Sequence, residues 1–217
     1  MGRMSVDEFH TSNKFPLVVV LDHVRSLYNV GSVFRTSDAF RLQGICLCGI
    51  TARPPHPEIH KTALGAEDSV AWQYFERTED AVDMLKEQGY TVLAIEQCEG
   101  STMMQDFKLK EGKKYAVVLG NEVKGVQQPV VDMCDGCLEI PQFGTKHSMN
   151  VSVTAGMIIW EFGKKLLFRF CQHIYHYFPY FLVGSMQRNG AYIGRMEELL
   201  LFQHHRSCCT KFQLMPM

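Results

Sequence analysis

The chain carries almost no excess charge: 22 Lys and Arg stand against 23 Asp and Glu, for a formal net charge of -1. That excludes a uniformly basic surface of the kind many nucleic-acid binders have. Any positive patch must be local, at positions such as Arg25, Arg41, Arg53 and Lys61. Long apolar runs are also missing. The most membrane-like stretch, Leu166 to Gly184, is broken by Arg169, Gln172, His173, His176 and Pro179, and is too polar to span a bilayer. The first apolar run is too short and too late for a secretory signal, and Val6 stands where a myristoylation signal wants Ser or Thr. No phosphate-loop motif, no G-x-G-x-x-G and no G-x-S-x-G elbow occurs, which argues against a nucleotide hydrolase and a serine hydrolase. His147 beside Ser148 does not restore the latter, because adjacent side chains rarely point at each other. Internal repeats are absent. The 8 Cys are irregularly spaced, and Cys134 and Cys137 form a single C-x-x-C with no second pair or suitable His spacing nearby. We therefore expect no bound metal, and free thiols in a reducing cytoplasm.

What is present suits an α/β domain. The 217 residues are 46% hydrophobic and 21% charged, enough for a full core. Leu17 to Leu21 is a β-branched run of the kind that is buried on both faces of a sheet. Strands are also expected at Ile45–Ile50, Thr91–Glu96, Tyr115–Leu119 and Leu138–Ile140. Helical patterns occupy Asn29–Phe40, Thr78–Gln88 with Thr78 as N-cap, Gln127–Met133 and Val151–Leu167. Arg53 to Pro57 reads as a rigid loop, in which His56 and, just beyond it, His60 are solvated or touch a ligand. Solidly apolar strands alternating with helices predict a parallel sheet with helices on both faces. The expected division is an N-terminal segment over 1–15, a loose arm or a short helix, then a domain over 16–167 and a tail over 168–217.

Three segments carry chemistry. The first, Asn29-Val-Gly31-Ser-Val-Phe-Arg35, offers a helix start with Ser26 and Asn29 as caps, a glycine for close backbone approach, and an arginine one turn and more beyond. The second, Leu119-Gly120-Asn121-Glu122-Val-Lys124-Gly125-Val126, places a carboxylate and two glycines at the end of a buried strand, where parallel α/β sheets place their sites. The third, Ile140 to Glu161, runs from a strand end through Ser148, Met149 and Asn150 into a helix. Strand, polar loop and helix N-terminus in that order form a ligand-binding corner.

In order and spacing the three segments resemble the signature motifs of the SpoU/TrmH-type RNA ribose methyltransferases: N-x-G-x-x-x-R, then L-G-N-E-x-x-G, then I-P-x followed by S-x-N-V-S-x-A. The resemblance spans roughly Pro16 to Leu167. Met149 stands where Leu is commoner, Thr154 and Ala155 alter the last helix slightly, and Gly156 is locally unfavourable there. The resemblance implies a parallel sheet with a C-terminal trefoil knot, a homodimer whose sites are completed by the partner, and an RNA substrate, tRNA or rRNA. It implies S-adenosylmethionine as cofactor, lined by Ile95, Glu96, Leu119, Gly120, Ile140, Ser148 and Met149. The catalytic group it implies is Arg35, Asn29, Glu122, Ser148 and Asn150. In that family the arginine is the proposed base for a ribose 2′-hydroxyl. A guanidinium holds its proton to above ~12, so Arg35 is easier to read as a phosphate clamp and oxyanion stabiliser, with phosphate or water taking the proton. Asn29 would orient Arg35, Glu122 would hold the loop, the partner Arg or the cofactor side, and Ser148 and Asn150 would guide the nucleotide. The alternative is a catalytically silent RNA-binding or assembly module on the same fold, against which the presence of all five polar residues argues.

Composition changes after Leu167. Ten of residues 168–217 are aromatic, against 11% for the chain, and no periodicity persists beyond a short helical pattern at Met196–Phe202. His173, His176, His204, His205, Cys208 and Cys209 also fall here. The segment is either a functional appendage or a tail with no evolved fold. Lys164 and Lys165 end the preceding helix cleanly, which favours the second.

Overall fold

The computed structural model describes residues 4–146 and 148–167. His147 and the 168–217 segment, with its short helix and its His and Cys groups, lie outside the described residues. The elements in chain order are α1 (Val6–Thr11), β1 (Phe15–Asp22), α2 (Leu27–Ala39), β2 (Leu42–Cys48), α3 (Pro57–Ala63), α4 (Ala66–Ser69), β3 (Trp72–Phe75), α5 (Thr78–Glu87), β4 (Tyr90–Ile95), β5 (Thr102–Met103), β6 (Lys114–Leu119), α6 (Gln128–Met133), β7 (Gly136–Glu139) and α7 (Val151–Leu167). The seven strands form one sheet in the order β3-β2-β1-β6-β4-β7-β5, and every neighbouring pair is parallel.

Burial follows the two-residue period of a strand. In β1, Leu17, Val19 and Leu21 join one core with Val30, Val33 and Phe34 of α2, Ile59 of α3 and Ile158, Ile159 and Phe162 of α7. Val18 and Val20 face the other side, against Ala81, Val82 and Leu85 of α5 and Val130 of α6. Aromatic packing reinforces the first core: Phe162 meets Tyr115 edge-on at 5.6 Å and stacks on Phe107 at 6.3 Å.

Several expectations change in detail. Of the two readings of residues 1–15, the short helix holds: α1 lies there, its start closed by a Ser5–Glu8 capping box. The loop at 53–57 runs into α3, whose N-cap is His56. The last strand lies at Gly136–Glu139, two residues earlier than expected, and β3 and β5 are additional. Thr78 is not an N-cap. That position is Arg77, without a side-chain bond, while Thr78 is fully buried and donates its hydroxyl to Asp22 Oδ1 at 2.5 Å. The same buried carboxylate accepts from Gln127 N at 3.0 Å and Gln127 Nε2 at 3.2 Å, so one acid fixes the starts of both α5 and α6.

Candidate active site

The C-terminal ends of β1, β4, β6 and β7 meet at one edge of the sheet. The loop that leaves β6 turns back on itself there. Asn121 N donates to Gly125 O at 3.0 Å, and Gly125 N to Asn121 O at 2.9 Å. Asn121 Oδ1 accepts from Val123 N and Lys124 N, and its Nδ2 donates to His23 O at 2.7 Å. Two glycines make the fold-back feasible. Gly125 has φ +67, and a Cβ there would lie 2.1 Å from Glu96 Oε2; a Cβ on Gly120 would lie 2.1 Å from Val126 N. The Glu96 carboxylate braces the loop by accepting from Val126 N at 2.9 Å. Gly31 serves a different approach from that of a ligand, letting α3 close on α2 with Ile59 O 2.3 Å from where its Cβ would be.

Glu122 joins this loop to the start of α2. It accepts from Arg25 N and Ser26 N, each at 2.9 Å, and from Asn29 Nδ2 at 3.0 Å. Burial acts to raise its pKa, but these backbone and side-chain donors outweigh it and hold the carboxyl below its usual range. Asn29 Oδ1 in turn accepts from Asn150 Nδ2 at 3.1 Å. Asn150 caps α7, its Oδ1 accepting from Ser152 N at 2.9 Å and Val153 N at 3.3 Å. A single polar relay, Asn150 to Asn29 to Glu122, therefore links segments separated by more than ninety residues of chain.

Beside the relay lies a cavity of about 300 Å³. All seven residues expected to hold a cofactor line it: Ile95, Glu96, Leu119, Gly120, Ile140, Ser148 and Met149. Leu138 completes its apolar wall, and Glu122, Asn121, Gln142 and Thr154 supply polar groups. Of the five expected catalytic residues, Glu122 and Ser148 reach the cavity, while Asn29 and Asn150 stand in the relay. Arg35 does neither. It is exposed on the outer side of α2, about 120° around and about 9 Å along the helix from Asn29. The expected Asn29–Arg35 hydrogen bond is absent among the described residues, because both polar ends of the buried Asn29 are taken by Glu122 and Asn150. Asn121, Gln97, Gln142 and Lys124 lacked an assigned role in the sequence, although Asn121 and Lys124 flank Glu122 in the quoted motif.

Three of the four candidate basic residues lie toward this edge of the sheet. Arg25 follows β1, Arg53 follows β2 and stacks on Tyr74 at 4.2 Å, and Lys61 is exposed on α3. Arg41 precedes β2 and so belongs to the opposite edge. Among the described residues no group of three or more His, Cys, Asp or Glu is arranged to hold a metal, and no helix is long and apolar enough to cross a membrane.

The chain is similar to known proteins in sequence and in fold. A protein of Staphylococcus haemolyticus assigned to the TrmH family of tRNA/rRNA methyltransferases is 30% identical over 163 residues, covering 73% of this chain and 64% of its own. The 23S rRNA (guanosine-2′-O-)-methyltransferase RlmB of Neisseria meningitidis is 30% identical over 146 residues, covering 67% and 57%. The chain thus spans about three fifths of the length of these relatives. Among solved structures, the AdoMet-bound rRNA methyltransferase of Sinorhizobium meliloti superposes with a TM-score of 0.66 at 27% identity, covering 71% of this chain and 58% of that one. The SpoU rRNA Methylase family matches residues 16–160, the stretch that holds the sheet, the cavity and the relay, and the chain belongs to that family.

Proposed function

We propose that this chain is an S-adenosylmethionine-dependent RNA methyltransferase that acts on a ribose 2′-hydroxyl of tRNA or rRNA, as a homodimer in the cytoplasm. The observation that carries the reading is the convergence of the second and third motif segments on one cavity, tied to the first segment by the Asn150–Asn29–Glu122 relay. The residues fit the cofactor. Ile95, Leu119, Leu138, Ile140 and Met149 offer an apolar clamp for a flat ring, and Ser148, Asn121 and Glu122 offer polar partners at the rim. When bound, S-adenosylmethionine supplies an electrophilic methyl group on a sulfonium sulfur.

The rest of the chemistry belongs to the chain. The relay holds the cavity loop and the starts of α2 and α7 in one geometry before substrate arrives, which lowers the cost of orienting the reactants. Glu122 stays ionised at neutral pH and acts as a brace, since its acceptor positions are filled by backbone and amide donors. Ser148 faces the cavity and guides the nucleotide. Arg35 clamps the RNA phosphate and stabilises the charge that develops as the 2′-oxygen attacks, the proton leaving to phosphate or water. Its position on the outer side of α2 supports an assignment to the partner's cavity. Val153 and Met157, exposed at 55% and 44% and one turn apart on α7, supply apolar surface for such a partner.

We also infer the C-terminal knot. In support, the chain leaves β4, returns to place β6 between β1 and β4, and goes out again to place β7 between β4 and β5. An experimental trace of residues 140–167 against the 96–113 connection tests it. The activity is tested by calorimetry with S-adenosylmethionine and by transfer of radiolabelled methyl to tRNA and rRNA, followed by mapping of 2′-O-methylated positions. Methyl found on a base would sink the ribose assignment. Cofactor binding with no transfer to any RNA would favour the silent module.

A further inference from the structure

The C-x-x-C spacing suggests one pair of cysteines, and the fold makes another. Cys134 ends α6 and packs against the core that contains Ala81, Val82 and Leu85. Cys137 lies on β7 opposite Ala94 and donates its S–H to Glu96 O at 3.3 Å, which turns its side chain toward the start of the β4–β5 connection, where Cys98 stands two residues beyond Glu96. Cys98 belongs to the connection between β4 and β5, immediately after Glu96 and Gln97, which line the cavity. Both members of this pair are partly exposed, whereas Cys46 and Cys48 are buried within the sheet.

We propose that Cys98 and Cys137 are a redox-modification site, closed to an intramolecular disulfide by hydrogen peroxide and tying the β4–β5 connection to β7 at the cavity wall. In the first step Cys98 Sγ attacks a peroxide oxygen and the O–O bond breaks. This leaves a sulfenic acid and one water, which carries off the thiol proton. Cys137 Sγ then displaces the sulfenic oxygen as a second water and forms the S–S bond. Two thiols lose two electrons in total, and one peroxide is reduced to two waters. Burial, reinforced by the Cys98 thiol, pushes the Cys137 thiol up to about 12, which argues against Cys137 as the first attacker on peroxide. Closure draws on the segment whose Glu96 carboxylate holds Val126 N–H, so the cavity loop moves with it. That consequence rests on the reading of the cavity as the cofactor site.

The test treats the full-length protein with hydrogen peroxide, alkylates the remaining thiols and maps the peptides by mass spectrometry. A Cys98–Cys137 cross-linked peptide is expected, reversed by dithiothreitol, retained in Cys134→Ser and lost in Cys98→Ser and Cys137→Ser. A Cys134–Cys137 bridge, or both thiols remaining alkylatable, overturns the site. In the oxidised protein the Kd for S-adenosylmethionine should rise about fivefold or more, as a modest coupling energy requires. An unchanged Kd overturns the coupling to the cavity. A reduced protein that binds no S-adenosylmethionine sinks the proposed function and leaves the peptide map to decide the disulfide.

Discussion

The loop after β6 and the outer face of α2 both carry motif residues, and the fold treats them in opposite ways. In the loop, Asn121 and Glu122 have their polar atoms bonded to neighbouring backbone, and Glu96 braces the far end. On α2, Arg35 stands exposed and does not line the cavity of its own chain. The first region is organised before any ligand arrives. The second has only its charge to offer, and needs RNA or a partner to give that charge a geometry. A site divided in this way separates two kinds of defect. On the proposed function, changes in the loop should reach both folding and cofactor binding, whereas changes on the helix face should reach turnover alone.

Substitution of Arg35 gives the largest expected effect. Arg35→Ala should lower methyl transfer by about 100-fold or more, the loss typical for a removed transition-state donor. Thermal stability and calorimetric cofactor affinity should stay near those of the parent, because the side chain is exposed. Weakened cofactor binding in this variant would erase the contrast between the regions. Mixing Arg35→Ala with a cavity-loop variant sharpens it: partial recovery of activity in the heterodimer is expected if Arg35 serves the partner's cavity.

Gly125→Ala comes next. It forces a side chain into positive φ and against Glu96 Oε2, and should destabilise the domain by about 1–3 kcal/mol in urea titrations while weakening cofactor binding. Asn150→Ala removes the cap of α7 and one link of the relay, and should cost about 1 kcal/mol by the same measurement. The smallest effect concerns pH. Glu122 has a lowered pKa in the folded chain, so its contribution to stability is present above the unfolded carboxylate value of about 4.3 and fades as pH falls through that range and below. Melting temperatures of Glu122→Gln should therefore fall less steeply than those of the parent on acidification; parallel curves would show that the carboxylate does not brace the loop.

Legibility in the sequence followed length and burial. β1 and α7 were readable because each buries a long, regular apolar pattern, and α7 begins where its periodicity does. β3 has four residues, all exposed or half-buried, and forms only because β2 offers a ladder beside it, so its composition carried little signal. β5 has two residues and depends on β7 in the same way. Thr78 looked like a cap because a short hydroxyl before two acids has that local preference. A bond to Asp22, fifty-six residues away, took the side chain instead. The C-x-x-C spacing drew the eye from Cys137 to Cys134, whereas the Cys137 thiol turns to Glu96 O on the other side of the strand end.

The chemistry of the site was written in the order of its residues. Strand ends rich in Gly, Asn and Glu, and a Ser-Met-Asn run before a helix, announce a parallel α/β sheet with a ligand corner, since strand burial and helix capping act over a few residues. Which of those groups meet is another matter. Asn29 does not turn to Arg35 on its own helix; it bonds Glu122 and Asn150, ninety-three and one hundred and twenty-one residues further on. Helix geometry turns Arg35 away from Asn29, and the parallel sheet brings β1, β6 and the start of α7 to one edge. Long-range packing therefore decided that Asn29 is a structural link and Arg35 an exposed cation, because burial of a polar amide demands partners wherever the fold supplies them.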